Sequence, residues 1–74
     1  MGGSLHLGVV SAFDEARGLG SVADDAGGVW PFHCTQIADG TRAIEIGTRV
    51  AYEVVAGHIG RMEAARVTVL GPGA

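Results

Sequence analysis

"GVVSAFDEARGLGSV", residues 8 to 22, reads as a strand, a tight turn and a returning strand. The first strand extends back to Leu5: over Leu5 to Phe13 the alternation places Leu7, Val9, Ser11 and Phe13 on one side and His6, Gly8, Val10 and Ala12 on the other. Asp14 to Gly18, "DEARG", has the composition of a turn, and Leu19 to Ala23 runs back as the second strand.

Working outward, "DDAGG" (Asp24 to Gly28) is a second turn, because aspartate bonds to its own backbone and glycine accepts positive φ. "VWPFHC" (Val29 to Cys34) is then a third strand, with Pro31 at an edge or a bulge since it brings no N–H to a ladder. Ile44 to Gly57 holds the strongest strand pattern, Val50, Tyr52 and Val54 alternating with Ala51, Glu53 and Val55. "GHIG" turns the chain and Arg61 to Leu70 is the fifth strand. Thirteen glycines and two prolines leave no window with a sustained helical repeat, so the chain is expected to be all-β. The economical arrangement of five short strands is a five-stranded antiparallel Greek-key barrel of OB type. Residues 1–70 are read as one domain, with a frayed "MGGS" start and a disordered tail over 71–74.

Composition narrows the function. One cysteine closes no internal disulfide, and His6, His33 and Cys34 have no recognisable zinc spacing, so neither metal nor cofactor is implied. Cys34 and His33 are neighbours on a strand and point to opposite faces without a third orienting group, so no catalytic pair and no enzyme is read there. No apolar run is long enough for a membrane span or a signal peptide, which leads to the expectation of a soluble, cytoplasmic protein. Asp14, Glu15, Asp24 and Asp25 are assigned to solubility and turn geometry. With net charge −3, five arginines and no lysine against eight acids, a strong electrostatic grip on phosphate is not expected.

Gly8, Val10 and Phe13, then Arg17, Gly18, Gly20 and Val22, then His33, Thr35 and Ile37, then Glu45, Gly47, Val50, Tyr52 and Val54, and finally Ala64, Ala65, Val67 and Thr68 follow in an order and spacing that resembles the bacterial cold-shock domain from Gly8 to Leu70. The resemblance implies an OB barrel that binds single-stranded RNA or DNA by stacking bases on an aromatic face, each stack being worth ~1–3 kcal/mol. It also implies a role in keeping RNA unpaired or adjusting expression under stress.

The departures lie where the family does its binding. The first strand's lysine and tryptophan are here Ser11 and Ala12, the rings around the paired glycines are Leu19 and Ser21, and two phenylalanines of the third strand are Pro31 and Cys34. Binding is therefore expected to be weak and of little sequence preference, carried by Phe13, Arg17 and His33, with Arg42 as a further contact. Trp30 faces the core in the unshifted register and joins the binding face if Pro31 makes a bulge. The alternative is a diverged barrel whose face binds a protein partner or a second copy of itself, without nucleic acid.

Overall fold

The computed structural model describes residues 5–41, 43–57 and 60–71. It contains strands β1 (Leu5–Asp14), β2 (Leu19–Asp24), β3 (Val29–His33), β4 (Arg49–Ala56) and β5 (Met62–Gly71), with a short 3₁₀ helix over Cys34–Gln36. All pairs are antiparallel, in the order β3-β2-β1-β4-β5, so β1 is flanked by both β2 and β4. The sheet curls until β3 packs on β5. At that seam Ile37 bridges to Val67, and the Ala38 N–H donates to the Val67 carbonyl at 2.8 Å. The result is the five-stranded Greek-key barrel expected of the sequence.

Two bulges decide which side chains fill it. The β1–β2 register shifts between Val10 and Ala12, so Val10 and Phe13, three residues apart, both turn inward while Ala12 turns out. This corrects the simple alternation, which grouped Ala12 with Val10. On β5, Arg66 takes a left-handed φ of 54° at a second register shift, and Ala64 and Val67, also three apart, are both fully buried. The Arg66 N–H donates to Gln36 Oε1 at 3.4 Å, tying that bulge to the 3₁₀ helix. The core is Val10, Val22, Phe32, Ile37, Val50, Tyr52, Ala64 and Val67.

The fourth strand starts later than the run from Ile44 suggested. Thr48 N–H donates to Glu45 O, Gly47 N–H donates to Val10 O, and Gly47 holds a φ of 95°, so Glu45–Thr48 is a turn against β1 and the ladder begins at Arg49. The third strand ends at His33, where Cys34 enters the 3₁₀ helix. "MGGS" and residues 72–74 lie outside the described residues, whereas Gly71 closes β5.

Asp24 is more than a turn residue. Its carboxylate is nearly buried: Oδ2 accepts the Tyr52 hydroxyl and meets His6 Nδ1 at 2.8 Å, while Oδ1 accepts the Ala26 N–H at 2.9 Å. One carboxylate thus ties the end of β2 to β1, to β4 and to its own turn, and the His6 ring stacks on Tyr52 with centroids 5.6 Å apart. The Tyr52 hydroxyl, then the Ala26 N–H, then His6 lower the Asp24 carboxyl from 3.8 to about 2. Burial, with Asp24 beside it, pushes the Tyr52 phenol up. A carboxyl whose folded value is depressed contributes stability that is present above the unfolded value and is lost as pH falls through the folded one. Acid denaturation is expected to steepen between about pH 4 and pH 2. Asp24→Asn should lower the thermal midpoint at neutral pH more than Asp39→Asn does, and should flatten that acid limb, as read by circular dichroism melts across the pH range.

Candidate nucleic-acid interface

The outer face of β1–β3 is built in rows by the ladder register. Ala12, Ser21 and Pro31 form one row and Asp14, Leu19 and His33 the next. At the bulge, Ser11 Oγ lies 2.9 Å from Ser21 Oγ, so the two hydroxyls satisfy each other across the strands. The face is therefore small and mostly neutral, with Leu19 and Pro31 exposed upon it.

Pro31 sits where its missing N–H costs no ladder bond. Cys34 N–H donates to Gly18 O and Asp24 N–H to Gly28 O, so the bonded pairs of the β2–β3 ladder run 18/34, 20/32, 22/30 and 24/28. The main-chain groups of Val29, Pro31 and His33 then point away from β2, toward the seam with β5. The register across Pro31 is unbroken, so it is an edge proline and not a bulge.

That unbroken register settles where the rings go. Phe32 is buried and Trp30 is half-buried against the core, the inward placement of the unshifted alignment. Trp30 Nε1 is buried without an acceptor among the described residues. Phe13 is half-buried, packed on the core and stacked on Phe32 with centroids 6.0 Å apart and planes at 18°. Gly20 makes that stack possible: a Cβ there would lie 2.6 Å from Phe32 Cζ and 2.8 Å from Phe13 Cδ1.

The polar candidates are on the surface. His33 is exposed, and its Nδ1 accepts the Thr35 N–H at 3.2 Å with Thr35 Oγ1 at 3.0 Å, which leaves the ring proton on Nε2, free to donate outward. The Asp14–Gly18 turn brings Arg17 to the same corner. Its N–H donates to Asp14 Oδ1 at 3.3 Å, Gly18 N–H donates to Asp14 O, and Gly18 packs against Cys34 with its missing Cβ 3.9 Å from His33 Nε2. The Arg17 guanidinium is exposed and forms no ion pair among the described residues, whereas Arg49 makes a two-toothed bridge to Asp25 and Arg66 lies 4.0 Å from Glu53. Arg42 lies outside the described residues.

Two residues that pattern reading did not single out belong to this region. Gln36 and Glu63 line a groove of about 500 Å³ that runs from Leu19 and His33 over Phe32 to the β5 seam. Nothing in their local sequence marks them, since they come from a 3₁₀ helix and a strand that meet only when the barrel closes. Among the described residues no three His, Cys, Asp or Glu side chains converge as a metal site, and no helix is long and apolar enough to cross a membrane.

A solved structure described as Drosophila Unr CSD456 is similar to this chain, with a TM-score of 0.77 at 24% identity over 99% of this chain and 29% of that chain. The fold is the cold-shock barrel. The chain spans 29% of the length of that solved chain. No family model and no curated protein matches the sequence.

The ring arrangement is open to test by denaturation. Gly20→Ala should cost about 1–3 kcal/mol by driving Phe13 and Phe32 apart. Trp30→Phe, which removes the unpartnered N–H along with some packing, should stay within about 1 kcal/mol of the parent, against roughly 3–5 kcal/mol for Phe32→Ala.

Proposed function

We propose that this chain binds single-stranded RNA or DNA, weakly, through the outer face of β1–β3. The observation that carries the reading is that the turn bearing Arg17 packs through Gly18 beside His33, so that an exposed arginine and an exposed imidazole N–H flank the apolar surface of Leu19 and Pro31 on a cold-shock barrel. Arg17 supplies the charge for a phosphate, His33 a flat ring and a donor, and the exposed edge of Phe13 a partial stack. The Drosophila neighbour is an Unr cold-shock structure, which supports nucleic acid as the ligand class.

The packing explains why such binding is weak. Trp30 and Phe32 belong to the core and Phe13 is committed to Phe32, so the face retains little of the ring surface on which single strands stack. Little base preference follows from such a face. A role as an RNA chaperone or a regulator of expression, in the cytoplasm, accords with weak and indiscriminate binding. A second reading, self-association or a protein partner on the same face, is favoured by the exposed Leu19, Pro31 and Val29.

Fluorescence anisotropy of a labelled mixed-sequence strand, at low and near-physiological salt, tests the proposal. Saturable binding that weakens with salt is expected, and Arg17→Glu should weaken it and reduce the salt slope by about 0.7, the value of one phosphate contact on a single strand. Absence of binding at low salt, together with a mass that rises with concentration, would favour self-association.

A further inference from the structure

The groove at the β3–β5 seam does not end where the outer face ends. It continues into a smaller one of about 260 Å³ that reaches Gly57, with Gln36 and Glu63 lining both. Leu19, Pro31 and Phe32 give the larger part apolar walls, and His33 stands at its rim.

Glu63 is half-buried, and its carboxyl lies against the Gly57 backbone in space that any Cβ at Gly57 would occupy. The carboxylate is thereby held at the groove. Among the described residues it has neither a salt-bridge partner nor a hydrogen-bond donor. Gln36 spends its Oε1 on the Arg66 N–H, leaving its amide NH₂ to donate. The lining of the two grooves therefore combines a carboxylate with no donor among the described residues, a neighbouring amide donor and, in the larger groove, apolar walls.

A carboxylate is best satisfied by two parallel N–H groups. Among the four bases only guanine displays two adjacent donors, N1–H and N2–H, beside an acceptor, O6, on its Watson–Crick edge. Adenine and cytosine offer one amino group next to an unprotonated ring nitrogen, and uracil or thymine flanks its single N–H with carbonyls that a carboxylate repels. The Glu63 charge also keeps phosphates out, so a base and not the backbone enters.

Resting on the nucleic-acid reading above, we infer that this groove is a guanine subsite, in which Glu63 accepts from N1–H and N2–H, Gln36 donates to O6, and the exposed Leu19 and Pro31 flank the ring. The weak outer face thus gains one discriminating position from a wall of the barrel seam.

The test uses the intact chain and short labelled uridine strands carrying a single central guanosine, inosine or adenosine. Inosine keeps N1–H and O6 and lacks only the N2 amine. The guanosine strand should bind about tenfold tighter than the inosine strand, since a hydrogen bond to a charged group is lost, and tighter again than the adenosine strand. Glu63→Gln should erase the guanosine preference while binding the plain uridine strand more tightly, because a negative charge leaves the site. Equal affinity for the guanosine and inosine strands in the parent protein would overturn the subsite, as would an undiminished preference in Glu63→Gln. If none of the strands binds, the nucleic-acid reading itself is overturned and the subsite goes with it.

Discussion

The Asp24 carboxylate holds the barrel at the point where three strands and a turn have to agree. A carboxylate sheltered from water is tolerated only when its oxygens are taken up by donors, and here the Tyr52 hydroxyl, His6 Nδ1 and the Ala26 N–H do so. Each partner belongs to a different part of the chain. Satisfying the charge therefore fixes β1 and β4 beside the end of β2 and shapes the Asp24–Gly28 turn that launches β3. In a domain this small, with no disulfide among its parts, one polar node of this kind supplies positional definition that a core of a few valines and two large rings does not.

The rest of the architecture follows from how the barrel turns side chains inward. Bulges at Ser11 and Arg66 bring residues three apart onto the same face, which lets Val10 with Phe13 and Ala64 with Val67 line one interior. The unbroken register through Pro31 sends Trp30 and Phe32 to the same interior. Rings that would serve as a platform for bases are thereby used to fill the barrel, and the outer face is left to serines, alanine, leucine, proline and one histidine. The chain has few aromatic residues, and packing takes most of them.

The seam between β3 and β5 is where polar side chains gather beside apolar walls. Because it is bridged at Ile37–Val67 and otherwise closed by side chains, it leaves a groove whose polar lining comes from the 3₁₀ helix and from β5. Gly57 matters there for its missing side chain, since the space a Cβ would fill is taken by the Glu63 carboxyl.

Much of this was legible from residue order. Alternation in Val50, Tyr52 and Val54, the Asp-Gly turns and the glycine spacing from Gly8 to Gly20 determine an all-β chain, its strand number and the barrel, because strand period and turn chemistry are local properties. The exposed positions of Arg17 and His33 followed from the same local rules. Four things were decided only by tertiary structure: the bulge that turns Ala12 out and Phe13 in, the turn that delays β4 to Arg49, the burial of Asp24 among His6 and Tyr52, and the meeting of Gln36 with Glu63. Each depends on a partner distant in the chain, and an aspartate in a turn looks the same in sequence whether water or a tyrosine hydroxyl satisfies it. Periodicity records which way a side chain points relative to its neighbours in the chain, and closure of the barrel decides what it meets.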